Sequence, residues 1–212
     1  MRKLTGEKLE AELARLEGMR AYEHQYENAG IVCGIDEAGR GPLAGPVVAA
    51  VAVLPKDCTI LRLNDSKKLS EKCREELFLE IKEKAAAYGI GIVSPEVIDS
   101  INILQATLKA MCHAASVLKV RPKGLLIDGN QTIPEPLFRQ RAACWPSSPR
   151  QKSIVDGDAL VPVISAASII AKTFRDMLMD KLDHRYPGYG FAKHKGYGSK
   201  EHFAALRELG PC

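Results

Sequence analysis

Several strong signals are missing from this chain. It has six cysteines (Cys33, Cys58, Cys73, Cys112, Cys144 and Cys212), and no two of them form a CxxC pair. That spacing argues against a zinc ribbon or a disulfide framework and fits a reducing compartment. Cys33 and Cys112 lie in apolar runs and read as buried thiols. No long hydrophobic run is present: the longest uncharged stretch, Gly41 to Pro55, contains three prolines and is too short to span a bilayer. The N-terminal stretch is rich in Glu, Lys and Arg and lacks the apolar centre of a signal peptide. The expectation is a cytoplasmic protein with no membrane partner. Strong charge is missing too, since a net charge of +4 announces no global field for nucleic acid. One segment does lack acids entirely. From His184 to Lys200 the chain carries Arg185, Lys193, Lys195 and Lys200 with three tyrosines. A local basic-aromatic patch suits backbone contact combined with stacking.

At 212 residues, 46% apolar and 26% charged, the chain has enough material for one substantial core. Residues 5–28 read as a charged amphipathic helix, with Thr5 as a cap and Leu9, Leu13 and Leu16 at helical spacing. This helix can be an appendage. Residues 31–35 and Val47 to Leu54 read as strands, joined too closely for a parallel crossover and therefore as an antiparallel hairpin. Ser70 caps a helix through about Ala87. Tyr88 to Val93 is a third strand, and Ser94-Pro95 opens a helical stretch ending near Lys119. Gly124 to Ile127 is a fourth strand. Residues 130–150 are proline-rich and read as irregular, and Lys152 to Val155 forms a short fifth strand. A long helix runs from Pro162 to about Arg185, and Ser199 caps a last one that Gly210 stops. The order is α/β with a mixed sheet, and there is no internal repeat.

Two adjacent carboxylates, Asp36 and Glu37, end the first strand within Gly34-Ile35-Asp36-Glu37-Ala38-Gly39-Arg40-Gly41. Carboxylates suit hard cations such as magnesium. The glycines let the backbone approach a ligand closely, which suggests a metal site beside a phosphate-bearing substrate. Adjacent strand residues face opposite ways, so the pair shares one site only if the strand breaks there. Asp128 also ends an apolar strand, and Asp158 precedes the long helix. Sites in α/β sheets form at carboxyl ends of strands, although Asp128-Gly129 alone is an ordinary turn signal. The glycines from Gly39 to Gly45 invite a dinucleotide-binding reading, which fails because a strand rather than a helix follows. Asp65-Ser66-Lys67-Lys68 reads either as a solvated capped turn or as a phosphate-contacting loop using Ser66 and Lys67. In the tyrosine-rich tail, Tyr189 and Phe191 read as packing residues. Tyr197, between two glycines, reads as a ligand probe, and His194 as a hydrogen-bonded loop residue. Ser165 and Ser168 read as helix packing residues.

These segments, taken in order with Ser165 to Lys172, Arg175-Asp176 and Tyr189 to Tyr197, resemble bacterial ribonuclease HII from about Ile31 to Pro211. The resemblance implies an RNase H-like mixed five-stranded sheet flanked by helices, with a helical C-terminal part. It divides the chain into a helical extension (1–29), a catalytic core (30–184) and a substrate-binding loop and helix (185–212). It implies hydrolysis of the RNA strand of RNA–DNA hybrids and incision 5′ of single ribonucleotides in duplex DNA by a monomeric enzyme. By motif position, Asp36, Glu37, Asp128 and Asp158 resemble the metal-binding acids. Gly39, Arg40 and Gly41 resemble the loop that reads the 2′-hydroxyl, and Tyr197 the residue that stacks on the adjacent deoxyribose. The implied cofactor is Mg²⁺ or Mn²⁺, two ions roughly 3.5–4 Å apart gripping the attacking and leaving oxygens. Three features depart from the family pattern. Asp156-Gly157-Asp158 stands where a Lys-Gly pair usually precedes the acid, which makes Asp156 a rival to Asp158. The stretch from Asp128 to Asp158 is long and carries Trp145-Pro146. The family usually continues past Gly210-Pro211 with a basic tail, whereas this sequence stops at Cys212.

Overall fold

A computed structural model describes residues 4–26, 30–141 and 148–212. Trp145-Pro146 lies outside those residues. Five strands form one sheet in the order β3-β2-β1-β4-β5. The strands are β1 (Val32–Ala38), β2 (Val47–Val53), β3 (Ala87–Val93), β4 (Gly124–Asp128) and β5 (Arg150–Ile154). β2 runs antiparallel to both β1 and β3. The expected hairpin is therefore present, and the connection of Gly39 to Pro46 is its turn. β1, β4 and β5 are parallel, so the sheet is mixed.

Both faces of this sheet are covered, which explains why every residue of β2 is buried. Val47, Ala49, Val51 and Val53 join a core with α5 (Ile103–Ser116) through Ala106, Ala110 and Met111. Ala50 and Ala52 face the other way, against Ala166, Ala167 and Ile170 of α8 (Pro162–Arg185) and against Leu77 and Ile81 of α3 (Glu71–Lys84). Three valines of β2 thus point at α5, and Ala50 and Ala52 at α8. The small residues at the start of α8 extend this close approach. Gly34 of β1 completes it: a Cβ there would stand 2.2 Å from the Val163 carbonyl carbon. Only glycine lets the first turn of α8 rest on β1, and this contact fixes where the site is built.

Four local expectations change. The N-terminal helix splits into α1 (Glu7–Met19) and α2 (Ala21–His24), and Gly6, not Thr5, stands at its N-cap with no side-chain cap bond. Its buried Leu16 and Met19 belong to the same cluster as Ile60, Leu63 and Ile169, so α1 packs on the core. The helical stretch after Ser94 breaks into α4 (Pro95–Ile101) and α5 at Asn102, which has φ 68°. The Asn102 side chain accepts from the Gln105 N–H and caps α5. The stretch 130–150 is not wholly irregular, because α6 spans Glu135–Arg141. A short α7 (Gly157–Leu160) precedes α8. After α8 come the one-turn α9 (Phe191–His194) and the final α10 (Lys200–Leu209), which Ser199 caps as expected. No described helix is long and apolar enough to cross a membrane.

Candidate active site

The parallel pairing of β1 with β4 runs to Ile35 opposite Ile127. The next residue along each strand is a carboxylate, Asp36 on β1 and Asp128 on β4. α7 then delivers a third. The Asp158 N–H donates to Asp128 Oδ1 at 3.1 Å, and the Ser165 hydroxyl of α8 donates to the Asp158 carbonyl at 2.5 Å. One carboxylate oxygen from each of Asp36, Asp128 and Asp158 lies within 4.8 Å of the others. Asp156, the sequence rival, is not in this group. It occupies the left-handed region at φ 54° as the N-cap of α7.

Glu37 departs from the sequence expectation in a specific way. β1 does not break at Asp36-Glu37 but continues through Ala38, and both residues nevertheless line one cleft. Glu37 stands outside the group of three, and its carboxylate accepts from Arg40 Nη1 at 3.2 Å. Its charge still reaches Asp36, and that of Asp128 reaches Glu37.

Electrostatics mark this cluster as unbalanced. Burial first, then the charges of Glu37 and Asp128, hold the Asp36 carboxyl well above the usual carboxylate range. Burial also raises Glu37 and Asp128. Asp158 is pushed up to about 6, by burial and then by the Asp128 charge. Carboxylates crowded this way in a low-dielectric site resist ionisation unless a cation joins them. Three hard oxygen donors are the chemistry a divalent ion takes. Lys67 faces the same acids: burial opposes its charge, but Asp158, Asp36, Asp65 and Asp128 together raise its ammonium pKa above the ordinary value.

Beside the acids lies a cleft of about 230 Å³, lined among others by Glu37, Arg40, Lys67, Lys172 and Tyr197. A larger cavity of about 490 Å³ under α1 contains none of these groups, so chemistry rather than size identifies the site. Gly39, Arg40 and Gly41 border the cleft, and Tyr197 is 47% exposed at its edge. Tyr189 and Phe191 pack instead, stacked with ring centroids 5.3 Å apart. His194 is a loop brace. It accepts from the Gly196 N–H at Nδ1, and its Nε2 lies 2.7 Å from the Tyr189 carbonyl, to which it donates. Ser66 and Lys67 form a single 3-10 turn whose side chains divide: Ser66 is buried and Lys67 exposed. The Ser66 and Ser168 hydroxyls hydrogen-bond each other at 2.9 Å.

Sequence reading left three residues of α8 out of the site. Ser168, Lys172 and Arg175 all line the cleft. Ser168 was read as packing, yet its hydroxyl hydrogen-bonds the Asp36 carboxylate. Lys172 Nζ reaches Asp176 Oδ1 at 2.6 Å. The three are four and then three residues apart, so they share one helix face. A polar stripe on a helix that otherwise starts apolar was the available signal.

Residues 33–212 match the family model of Ribonuclease HII. The chain belongs to that family. It is 55% identical over 182 residues to the Ribonuclease HII of Nitratidesulfovibrio vulgaris, covering 86% of this chain and 82% of that protein. The crystal structure of ribonuclease H2 from Pyrococcus horikoshii OT3 aligns with a TM-score of 0.68 at 27% identity, over 86% of this chain and 90% of that one. The RNase HII of Archaeoglobus fulgidus, solved as a complex with PCNA, aligns with a TM-score of 0.65 at 28% identity, over 84% and 87% of the two chains. The fold is therefore the RNase H-like one expected. The protein is an endoribonuclease that hydrolyses RNA in RNA–DNA hybrids.

Proposed function

We propose that this ribonuclease HII also incises duplex DNA on the 5′ side of a single ribonucleotide, and that Asp36, Glu37, Asp128 and Asp158 hold two divalent ions, Mg²⁺ or Mn²⁺, for that reaction. The observation that carries this reading is the meeting of three carboxylates, from β1, β4 and α7, beside a cleft that also holds Arg40, Lys67 and Tyr197. Bound divalent ions would supply an activated water and neutralise charge at the reacting phosphate. The chain's own groups do the rest. Asp36 is anchored by the Glu37 N–H, which donates to its Oδ1 at 2.6 Å, and by the Ser168 hydroxyl. Its geometry is thus set before substrate arrives. Arg40 and Lys67 offer positive charge to the phosphates flanking the scissile bond, and buried Ser66 supports the turn that carries Lys67.

Water attacks phosphorus and the P–O3′ bond breaks. The departing 3′ oxygen takes a proton, leaving a 3′-hydroxyl and a 5′-phosphate. Gly39, Arg40 and Gly41 bring backbone to the minor-groove side, where a 2′-hydroxyl distinguishes RNA from DNA. Tyr197 supplies a flat face for the next deoxyribose. The free, reduced cysteines of the described residues suit the cytoplasm, and one chain carries every group named, which suits a monomer.

The test is a labelled DNA duplex holding one ribonucleotide, incubated with Mg²⁺ or Mn²⁺ and then with EDTA. A single 5′ incision that needs the metal supports the reading. Cleavage of an RNA–DNA hybrid with no incision at the lone ribonucleotide overturns it.

A further inference from the structure

Arg175 is 1% exposed, yet it is a large cation with work to do at the edge of the cleft. Its guanidinium spends itself on backbone. Nε donates to the Pro46 carbonyl at 3.0 Å, Nη2 to the Ala44 carbonyl at 3.0 Å, and Nη1 to the Lys195 carbonyl at 2.8 Å. Two of these acceptors belong to the turn between β1 and β2, which begins with Gly39-Arg40-Gly41. The third belongs to the loop that carries Tyr197. The same two loops are joined directly. The N–H groups of Leu43 and Ala44 donate to the Gly196 carbonyl at 2.9 and 3.3 Å. Gly196 has φ 85°, and a Cβ there would stand 2.2 Å from the Ala44 carbonyl oxygen. From the far side, His202 Nδ1 lies 2.9 Å from the Tyr197 carbonyl, to which it donates.

We infer that Arg175 is a positioning residue that ties the Gly39–Pro46 turn and the Tyr197 loop into one rigid unit, so that a ribose 2′-hydroxyl and the neighbouring deoxyribose are read together. A lysine could reach one of the three carbonyls but not all three, because only a planar guanidinium forks in this way. Two loops that moved independently would each keep a weak preference, whereas two loops locked at a fixed distance reject a strand that satisfies only one of them. Arg175 therefore sets selectivity for the RNA-to-DNA junction more than the rate of bond breaking. This inference rests on the proposed reading of lone ribonucleotides.

The experiment compares wild type, Arg175→Gln, Arg175→Lys, Tyr197→Ala and the double variant Arg175→Gln/Tyr197→Ala. Substrates are a duplex with one ribonucleotide and an all-RNA strand hybridised to DNA, each yielding kcat and KM. Arg175→Gln should lower the ratio of lone-ribonucleotide to hybrid cleavage by about tenfold, chiefly through KM, as a lost stacking platform would. Arg175→Lys should not restore it. In the double variant the ratio should fall no further than in Tyr197→Ala alone, because coupled residues give non-additive effects. Gly196→Ala separates the same loops without touching a buried charge and should lower the ratio in the same direction. It decides the matter if Arg175→Gln does not fold. Equal loss on both substrates, additive effects in the double variant, or an unchanged ratio in Gly196→Ala overturns the inference. Hydrogen exchange separates its failure from that of the underlying reading. If wild type does not cut lone ribonucleotides, faster exchange of the Leu43, Ala44 and Tyr197 amides in Arg175→Gln still supports the tie. Unchanged exchange there removes it.

Discussion

Two parts of the cleft handle buried charge in opposite ways. Where β1, β4 and α7 meet, Asp36, Asp128 and Asp158 crowd three like charges within 4.8 Å, and burial pushes each of them toward its protonated form. Elsewhere on the lining of the same cleft, Arg175 buries a positive charge and surrounds it with the carbonyls of Ala44, Pro46 and Lys195. The first region is left unsatisfied by the protein and so calls for an external cation. The second has three of its donors taken by backbone of the chain itself. Uncompensated negative charge is what a metal-dependent centre requires, and a hydrogen-bonded brace is what a rigid reading surface requires. Damage to the first region should therefore show in turnover and metal response. Damage to the second should show in which substrate is chosen.

The sharpest break in that contrast is Asp36→Asn. It keeps the shape and removes one charge from the cluster. Turnover on an RNA–DNA hybrid should drop by about three orders of magnitude, since charge stabilisation worth several kcal/mol disappears. Substrate binding under Ca²⁺, measured by fluorescence anisotropy, should change little. Retained turnover would remove Asp36 from the proposed metal set. Next in size is Gly34→Ala. Its Cβ would meet the Val163 backbone at 2.2 Å, so α8 must lift from β1 at a cost of about 1–3 kcal/mol. Urea denaturation should show that loss. Ser165, which bonds the Asp158 carbonyl, and Ser168, which holds Asp36, both ride on α8, so metal affinity by calorimetry should weaken with it. An undiminished affinity would mean that α8 does not set the acid geometry.

Tyr197→Ala probes the other region. Its ring is 47% exposed, so the fold has little to lose, while a lost stack is worth about 1–3 kcal/mol. The expected result is a fall of about tenfold in the ratio of lone-ribonucleotide to hybrid cleavage, with an unchanged melting temperature. A constant ratio would take Tyr197 out of junction reading.

The two regions also differed in how legible they were. The acids could be read from sequence because a carboxylate that follows an apolar run stands out wherever it occurs, and Asp36 and Asp128 both follow one. The long α8 was legible at both ends: Pro162 suits a first turn, and Tyr186-Pro187 stops the helix. What the sequence hid depends on how elements dock. Ser168 and Arg175 look like ordinary helix residues until Gly34 lets α8 settle onto β1. Glu37 looked like the twin of Asp36, and only the structure shows its carboxylate outside the group of three and paired with Arg40. α6 was missed because Pro134 and Pro136 read as breakers, although Pro136 sits in the first turn, where its missing N–H costs nothing. The break at Asn102 was missed because only Gly, Asn and Asp enter the left-handed region readily, and an Asn within an apolar pattern does not announce that it will.

The smallest effect expected is also the most direct measure of the unbalanced region. Asp158 has an ordinary value of 3.8 and is pushed up to about 6 in the fold. Between those values the folded chain binds more protons than the unfolded one, so stability without metal falls as pH rises through that window. Asp158 shares that shift with the neighbouring Asp128 carboxylate, which limits the effect to ~1 kcal/mol. That corresponds to a drop of about 2–4 °C in melting temperature for a domain of this size. A divalent ion binds the ionised form, so the stabilisation that Mg²⁺ or Mn²⁺ gives should grow over the same pH range. Asp158→Asn cannot ionise and should melt higher than wild type in EDTA at pH 8, with a flatter pH dependence and a smaller response to metal. Arg175→Gln, which leaves the carboxylates in place, should keep the wild-type pH slope and metal response. Thermal melts of the three proteins with and without metal, from pH 4.5 to 8, test the contrast. If Asp158→Asn and wild type melt in parallel across that range, the acids are not in electrostatic debt and the call for a cation loses its physical basis.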